Sequence, residues 1–516
     1  MSDTAPPATN KWLVTLAVML ATVLEVLDVT IANVALPHMQ ASFSATIDEV
    51  TLVLTSYLVS SGIVIPLTGW LADRIGEKRL FVGSTLLFTG SSVLCGLAWS
   101  LESIVLFRIA QGIGGAALMP LSQATLLRVF PERQHGLATA VWGIGIMAAP
   151  ILGPTLGGWL TDNYHWRWVF LVNLPLGLIA VGLQLAFVPN DSPEKRPASR
   201  VDYVGLLLVA LSIGAMQIVL DRGERSDWFA APWVWTFTAV SLVSLALLIP
   251  WELRHEAPVV DLRLFRKASF ASGTLLTALL FACLYSNLII FGLYLQTVMQ
   301  YPAWNAGLTM APRGAATMVG MFIIGQFYTR LDPRLVLAVG LIMVAFSSFQ
   351  MANFHPAYSQ AQLMLPLIAS GLGIGWTFVP LSGTTLSSVP AASLANASGL
   401  FNLMRNTGSS VGIAISGTLL VRWGQVHQST LVTHVDPMNA TANVSLRGAQ
   451  ALLHQHGVDP FSATDRSFAM LYGLIQREAA VLAFEDVFRF AGLVALAILP
   501  LLLLLGKGRS DLSAVH

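Results

Sequence analysis

Glu25 and Asp28 are two carboxylates inside one membrane-length apolar stretch, WLVTLAVMLATVLEVLDVTIANVAL, from Trp12 to Leu36. A carboxylate near the bilayer centre costs about 2.5–3.5 kcal/mol on insertion, so such groups face a cavity or a partner. Three residues apart, the two acids share one helical face, about 4.5 Å apart along the axis. Titratable acids in a membrane cavity point to proton or cation handling. The plainer alternative is a pair satisfied by neighbouring helices and serving packing alone. Arg108, in LFRIAQGIGGAA, offers a counter-charge. It lies about five residues below the outer surface and Asp28 about eight, a difference of about 5 Å that an arginine can reach across. An unpaired guanidinium there is costly. The alternative for Arg108 is snorkelling to the outer interface.

The second half carries further intramembrane cations. Arg313 follows Pro312, and Arg405 sits in FNLMRNTGSS with Asn402 and Asn406, where it either lines a cavity or bridges two halves. Glu25, Asn33, Asn287, Asn402 and Arg405 are the candidate substrate-cavity residues. A second set could gate movement. In GWLADRIGEKR, Gly69 allows close helix approach, Asp73 can accept from a neighbouring helix N-terminus, and Arg74, Lys78 and Arg79 stay in the interface. With Gly76 they form a candidate clasp that holds one state and releases in another; an ordinary basic loop is the alternative. A worn copy, GQFYTRLDPR from Gly325 to Arg334, has Thr329 in place of Asp73, which predicts a weaker second clasp. In APILGPTLGGW, Gly153, Gly157 and Gly158 remove side chains while Pro150 and Pro154 bend the helix, for gating or for packing.

The elements that must position these residues follow from composition. The 516 residues are 55% hydrophobic and 11% charged, against about 25% charged in soluble domains, so this is an all-α integral membrane protein. Approximate spans are 13–36, 50–71, 80–98, 104–127, 137–160, 168–188, 202–220, 233–251, 270–296, 306–329, 335–353, 362–386, 397–421 and 486–506. The first is long, acidic and ends at Pro37, which predicts a retained helix rather than a signal peptide. With both termini cytoplasmic, seventeen Lys and Arg fall in the cytoplasmic segments and three (Arg167, Arg222, Arg225) in short external loops. That asymmetry sets the orientation.

QGIGGAALMPLS (Gln111 to Ser122) recurs as SGLGIGWTFVPLS (Ser370 to Ser382). Gly112 and Gly371, Gly153 and Gly412, and Ala138 and Ala397 are each 259 positions apart. The repeat predicts two parallel six-helix bundles with a substrate site between them near the midplane. The domains expected are 1–190, an insertion of linker and two helices over 191–267, and 268–516 with a long external segment at about 422–485. Within that segment, Arg466 to Phe484 reads as a surface-lying amphipathic helix or a docking surface for a partner. Leu367 stands opposite Arg108 in the repeat, so proton chemistry is expected in the first bundle. Cys95 and Cys283 lie in apolar segments and predict no disulfide framework. No GxxxxGK[ST], HExxH or paired-cysteine motif is present, so neither ATP hydrolysis nor a metal site is indicated.

These segments resemble the major facilitator superfamily, specifically its fourteen-span drug:proton antiporter branch of the EmrB/QacA type. The resemblance rests on LDVTIANVALP, GWLADRIGEKR, RIAQGIGGA, GPTLGG and WRWVFLVNLPLG, with Asp221–Gly223 and PVVDLRLF matching EmrB-like inner-membrane pumps. Ala149 departs from the glycine that usually opens the antiporter motif, and Glu25 is an acid outside the usual first-span pattern. The resemblance implies the superfamily fold and a secondary transporter rather than an enzyme. It also implies export of small amphipathic toxic compounds in exchange for protons, driven by the proton motive force with no cofactor. Asp28 and Arg108 become the coupling residues, while Glu25, outside that pattern, is expected to bias the cavity toward cationic substrates. For a Gram-negative host it further implies a periplasmic adaptor of the EmrA type and an outer-membrane channel of the TolC type. A nucleic-acid partner is not implied. The rival reading is an exporter of one endogenous metabolite or siderophore.

Overall fold

Without water, every backbone amide in a bilayer must be satisfied within its own segment, so long apolar runs become helices. The computed structural model describes residues 10–190, 202–255, 258–327, 330–355, 358–390, 393–435 and 440–505, apart from a few side chains within helices, Pro150 and Pro154 among them. The linker at 191–201 and Thr329 lie outside the described residues. The first half comprises α1 (Lys11–Phe43), α2 (Ile47–Val50), α3 (Leu52–Val64), α4 (Thr68–Ile75), α5 (Glu77–Gly96) and α6 (Leu101–Gly115). It continues with α7 (Leu118–Val129), α8 (His135–Asn163), α9 (Trp168–Leu171) and α10 (Asn173–Phe187). Then come α11 (Tyr203–Arg222) and α12 (Pro232–Arg254). The second half comprises α13 (Ala268–Thr297), α14 (Ala303–Phe327), α15 (Pro333–Met351), α16 (Gln360–Ser387), α17 (Leu394–Thr433), α18 (Ala440–Gln455) and α19 (Pro460–Ile498).

Among the described residues, twelve helical segments are long and apolar enough to cross a membrane. They coincide with expected spans one to four, six to twelve and fourteen, which makes this a multi-pass membrane protein. The fifth and thirteenth correspond to α8 and α17, which fall outside that set, so fourteen crossings remain an expectation. Among the described residues, three of these spans are divided between successive α-helices, the sixth at Val172 between α9 and α10. Pro66 lies in a 3-10 turn, Ile65–Leu67, between α3 and α4, and the glycine run before Ala116 separates α6 from α7.

The segment expected as an external loop at 422–485 is instead mostly helix. At 1.5 Å per residue, α17 with its 40 residues and α19 with its 39 each run about 60 Å, twice a hydrocarbon core of about 30 Å. Arg466 to Phe484 belongs to α19 and does not form a separate surface-lying helix. Polarity misled the reading, because a helix outside the bilayer needs only one apolar face. α17 and α19 pack along their length, with Trp423 on Phe490 at 6.4 Å and His427 Nε2 2.7 Å from Asp486. Asp459 caps α19 by accepting from the Phe461 and Ser462 amides, and the hydrogen bonds from Ser462 hold its carboxyl below the usual range.

Helices meet where side chains are small, so that backbones approach and dispersion contacts accumulate. A Cβ on Gly408 or Gly412 of α17 would fall 2.1 Å from the carbonyl oxygens of Ala278 and Ala282 on α13. In the first half, a Cβ on Gly153 of α8 would fall 2.1 Å from Thr30 Oγ1 on α1. The two halves meet at the end that carries Gly69 to Arg79. There Trp142 stacks on Phe378 at 5.9 Å, and Gly143 and Gly325 face Met321 and Ala140 across the seam. At the opposite end Asn33 and Pro37 of α1 and Leu293 of α13 are exposed.

Candidate functional site

α1 and α6 bring Asp28 and Arg108 together in the centre of the first half, where both are 0% exposed. Arg108 Nη1 donates to Asp28 Oδ2 at 2.5 Å and to Gln111 Oε1 at 2.9 Å, while its Nε donates to the Val53 carbonyl at 3.0 Å. Gln111, three residues after Arg108 on the same face of α6, donates its amide to Asp28 Oδ1 at 2.9 Å. Asn173, the first residue of α10, donates to the same oxygen at 2.7 Å and also to Ser92 Oγ on α5. The guanidinium lies 4.4 Å from the Tyr57 ring and 5.6 Å from that of Phe170. Both carboxylate oxygens of Asp28 are therefore met by donors, the condition under which a buried charge is tolerated. A proton on Asp28 would disturb bonds to two other helices at once.

Glu25 takes a different direction from the same helix. The backbone N–H of Met119, in the first turn of α7, donates to its carboxyl, and Oε2 is buried without a hydrogen-bond partner. The charge it faces is Arg405 of α17, in the other half. Arg405 Nη2 contacts Met119 Sδ at 2.6 Å, and its guanidinium lies 5.7 Å from the Phe281 ring and 6.0 Å from that of Trp142. Asn402, one turn earlier, donates to Gln123 Oε1 of α7 at 3.1 Å, and Ser398 donates to the Pro120 carbonyl at 3.0 Å. Between lining a cavity and bridging the halves, Arg405 and Asn402 take the bridging role.

The other candidates are spread more widely. Asn33 is exposed on α1, away from Glu25. Asn287 is buried inside the second half, donating to Ser348 Oγ at 2.7 Å, so it does not line the seam. At the clasp, Asn396 of α17 donates to Asp73 Oδ2 at 3.2 Å, and a Cβ on Gly69 would overlap Asn396 at 2.0 Å. Arg74 lies over the Trp70 ring, and Gly76 turns the chain with φ 99°. Gly157 faces Ile31 at 3.2 Å, whereas Gly158 has nothing within 4 Å and makes no close approach; the Pro154 side chain lies outside the described residues. Sequence reasoning missed Gln111, Asn173, Tyr57, Met119, Gln123 and Asn396. The available signal was a polar or aromatic side chain placed one helical turn from, or within the same motif as, a buried charge.

Two repeated helical halves that meet at one end, with buried charge on and beside the seam, define a membrane transporter. The Major Facilitator Superfamily matches residues 18–413. The multidrug export protein EmrB of Haemophilus influenzae is 37% identical over 98% of this chain and 97% of its own length. EmrB of Escherichia coli is 38% identical over 83% and 84%, and the fatty acid resistance protein FarB of Neisseria gonorrhoeae 35% over 95% and 94%. Among solved structures, the human organic anion transporter MFSD10 superposes with a TM-score of 0.59 at 12% identity, covering 95% of this chain and 100% of its own. The proton:xylose symporter XylE gives 0.54 at 14%, over 92% and 96%; at these identities the likeness speaks for the fold. The chain belongs to the Major Facilitator Superfamily, and within it to the group that holds the EmrB export proteins. It is a transporter, not an enzyme.

Proposed function

We propose that this protein exports amphipathic toxic compounds across the cytoplasmic (inner) membrane in exchange for protons, with both termini in the cytoplasm. The observation that carries the reading is Asp28, a buried carboxylate paired with Arg108 in a chain whose relatives are named multidrug export proteins. In this reading the Gly69 end is the cytoplasmic one, and contacts there between the halves describe a state closed to the cytoplasm. A proton arriving from outside neutralises Asp28, Arg108 relaxes, the halves rock, and proton loss to the cytoplasm restores the pair. A potential of about 150 mV supplies about 3.5 kcal/mol per charge, enough for a roughly 300-fold substrate gradient per proton. Gly69, Asp73, Arg74 and Gly76 act as the clasp, and Gly153 and Gly157 as the surface on which α8 slides past α1. In this reading the ends of α17 and α19, with α18, would meet a periplasmic adaptor of the EmrA type, which in turn would reach an outer-membrane channel of the TolC type.

The test is export of ethidium from sealed proteoliposomes under an imposed pH gradient. Asp28→Asn is expected to abolish gradient-driven export; a variant that still exchanges protons for ethidium at the normal rate overturns the coupling role. A second reading, export of amphipathic carboxylic acids, is favoured by Arg313, whose buried Nη1 has no hydrogen-bond partner, and by the name of the FarB relative. The same vesicles loaded with laurate separate the two.

A further inference from the structure

Glu25 and Asp28 are one turn apart on α1, yet their surroundings differ in kind. The donors that hold Asp28 (Arg108, Gln111 and Asn173) all belong to the first half and form a closed set around it. Glu25 keeps one carboxylate oxygen without a partner although only 8% of the residue is exposed. Its donor among the described residues is the Met119 amide, in the buried first turn of α7, where helix N–H groups favour a negative charge. Its cationic neighbour belongs to the opposite half and has few hydrogen-bond acceptors: Arg405 donates to a thioether sulfur and the Asn406 side chain at 3.3 Å, and otherwise lies beside the Phe281 and Trp142 rings and near Tyr285. Met119 thus stands between the two, its backbone toward Glu25 and its sulfur toward Arg405.

We infer that Glu25 is a second proton-binding residue of the transport cycle, with Arg405 as its counter-charge across the seam, and that its protonation loosens the closed end. The inference rests on the proton-exchange reading above and adds a residue to it. The step is a simple proton transfer. A proton from water binds Oε2, the carboxylate becomes neutral, and the same proton leaves to water when that oxygen next faces the other side. The groups facing Glu25 are Arg405 from α17, Tyr57 from α3, the Met119 amide from α7 and Asp28 from its own helix, with Arg108 of α6 behind Asp28. Only Arg405 belongs to the second half. Neutralising Glu25 therefore removes an attraction between halves, while neutralising Asp28 breaks bonds within one. The lever is already in place. Asn396, Ser398, Asn402 and Arg405 all reach from α17 to the first half, so Arg405 and the clasp move as one rigid helix.

The experiment is a spin-label distance between Ala41 of α1 and Thr297 of α13, measured against pH in nanodiscs without substrate. In otherwise native protein the distance is expected to change with a defined midpoint. Arg405→Gln should move that midpoint to higher pH by about one unit, because a carboxylate without its cation takes a proton more readily. Glu25→Gln should flatten the transition. A Glu25→Gln protein that titrates with the native midpoint overturns the inference; if that variant does not fold, an unmoved midpoint in Arg405→Gln overturns it. A native distance indifferent to pH, in a protein whose ethidium export follows the pH gradient, overturns this inference alone. Export indifferent to the pH gradient overturns the proton-exchange reading itself.

Discussion

Asp28 shows what a buried charge needs and what its removal exposes. Its partner Arg108 is 0% exposed, with Nη2 already lacking a hydrogen bond, so losing the carboxylate leaves the buried guanidinium further uncompensated. Deleting one member of a buried pair costs about 3–5 kcal/mol, because the other is left uncompensated, whereas replacing both can be nearly neutral. Asp28→Asn is therefore expected to lower the thermal midpoint of purified protein strongly, and Asp28→Asn/Arg108→Gln to recover most of the loss. Equal destabilisation in the single and double variants would show that the pair does not govern stability. The pair itself was legible in the sequence, since charges in apolar spans are few and their depths can be counted. Gln111 and Asn173 were not, because an amide in a membrane helix has many possible partners and no charge to announce one. Asn287 failed for the same reason. It looked like a cavity residue, but it is buried inside the second half, where its amide donates to Ser348 Oγ of α15 while its Oδ1 has no hydrogen-bond partner.

At the scale of elements, glycine spacing told where helices could approach but not which glycine does. Gly153 and Gly158 read alike in APILGPTLGGW, yet one faces α1 and the other open space. A Cβ on Gly153 would sit 2.1 Å from Thr30 Oγ1 and 2.6 Å from Thr30 Cβ, and a Cβ cannot rotate away, so the helices must separate. Gly153→Ala is expected to cost about 1–3 kcal/mol by overpacking. Gly158→Ala should stay within about 0.5 kcal/mol of native stability. Thermal unfolding checks both, and comparable losses would mean that close approach is not what Gly153 provides. Element lengths were less legible than element positions. The ends of α17 and α19 continue past the apolar stretch because they have each other to pack against, a partner that no single segment of sequence reveals. The breaks at Pro66 and at the glycines before Ala116 fall within spans read as continuous, since proline elsewhere, as at Pro312 and Pro380, leaves its helix unbroken.

For the whole molecule, the inserted pair of helices constrains how the halves can move. Its first helix, α11, and the turns that follow it (Glu224–Ala230) are bonded to both halves away from the closed end. Toward α3, Thr55 donates to Asp221 and Arg225 donates to Thr51. Toward α17, Gln217 donates to Ser410 at 3.0 Å, Trp228 donates to Thr418 at 2.8 Å, and Arg422 pairs with Asp227. If the halves rock as rigid bundles, α11 must travel with one and release the other. The Arg422–Asp227 pair is more than half exposed on both sides, so it contributes about 0–1 kcal/mol and does not decide the matter. Gln217 and Trp228 carry the tie to α17, together about 1–3 kcal/mol as neutral hydrogen bonds. Removing them with Gln217→Ala/Trp228→Phe should then shift the population away from the state described here by roughly 5- to 140-fold, at about 1.4 kcal/mol per tenfold. The Ala41–Thr297 distance distribution reads this directly, and a gain in the shorter distance is the expected result. An unchanged distribution would mean that α11 stays with α17 throughout. The strain of rocking would then fall on Asp221 and Thr55, and Asp221→Asn would become the variant that moves the equilibrium.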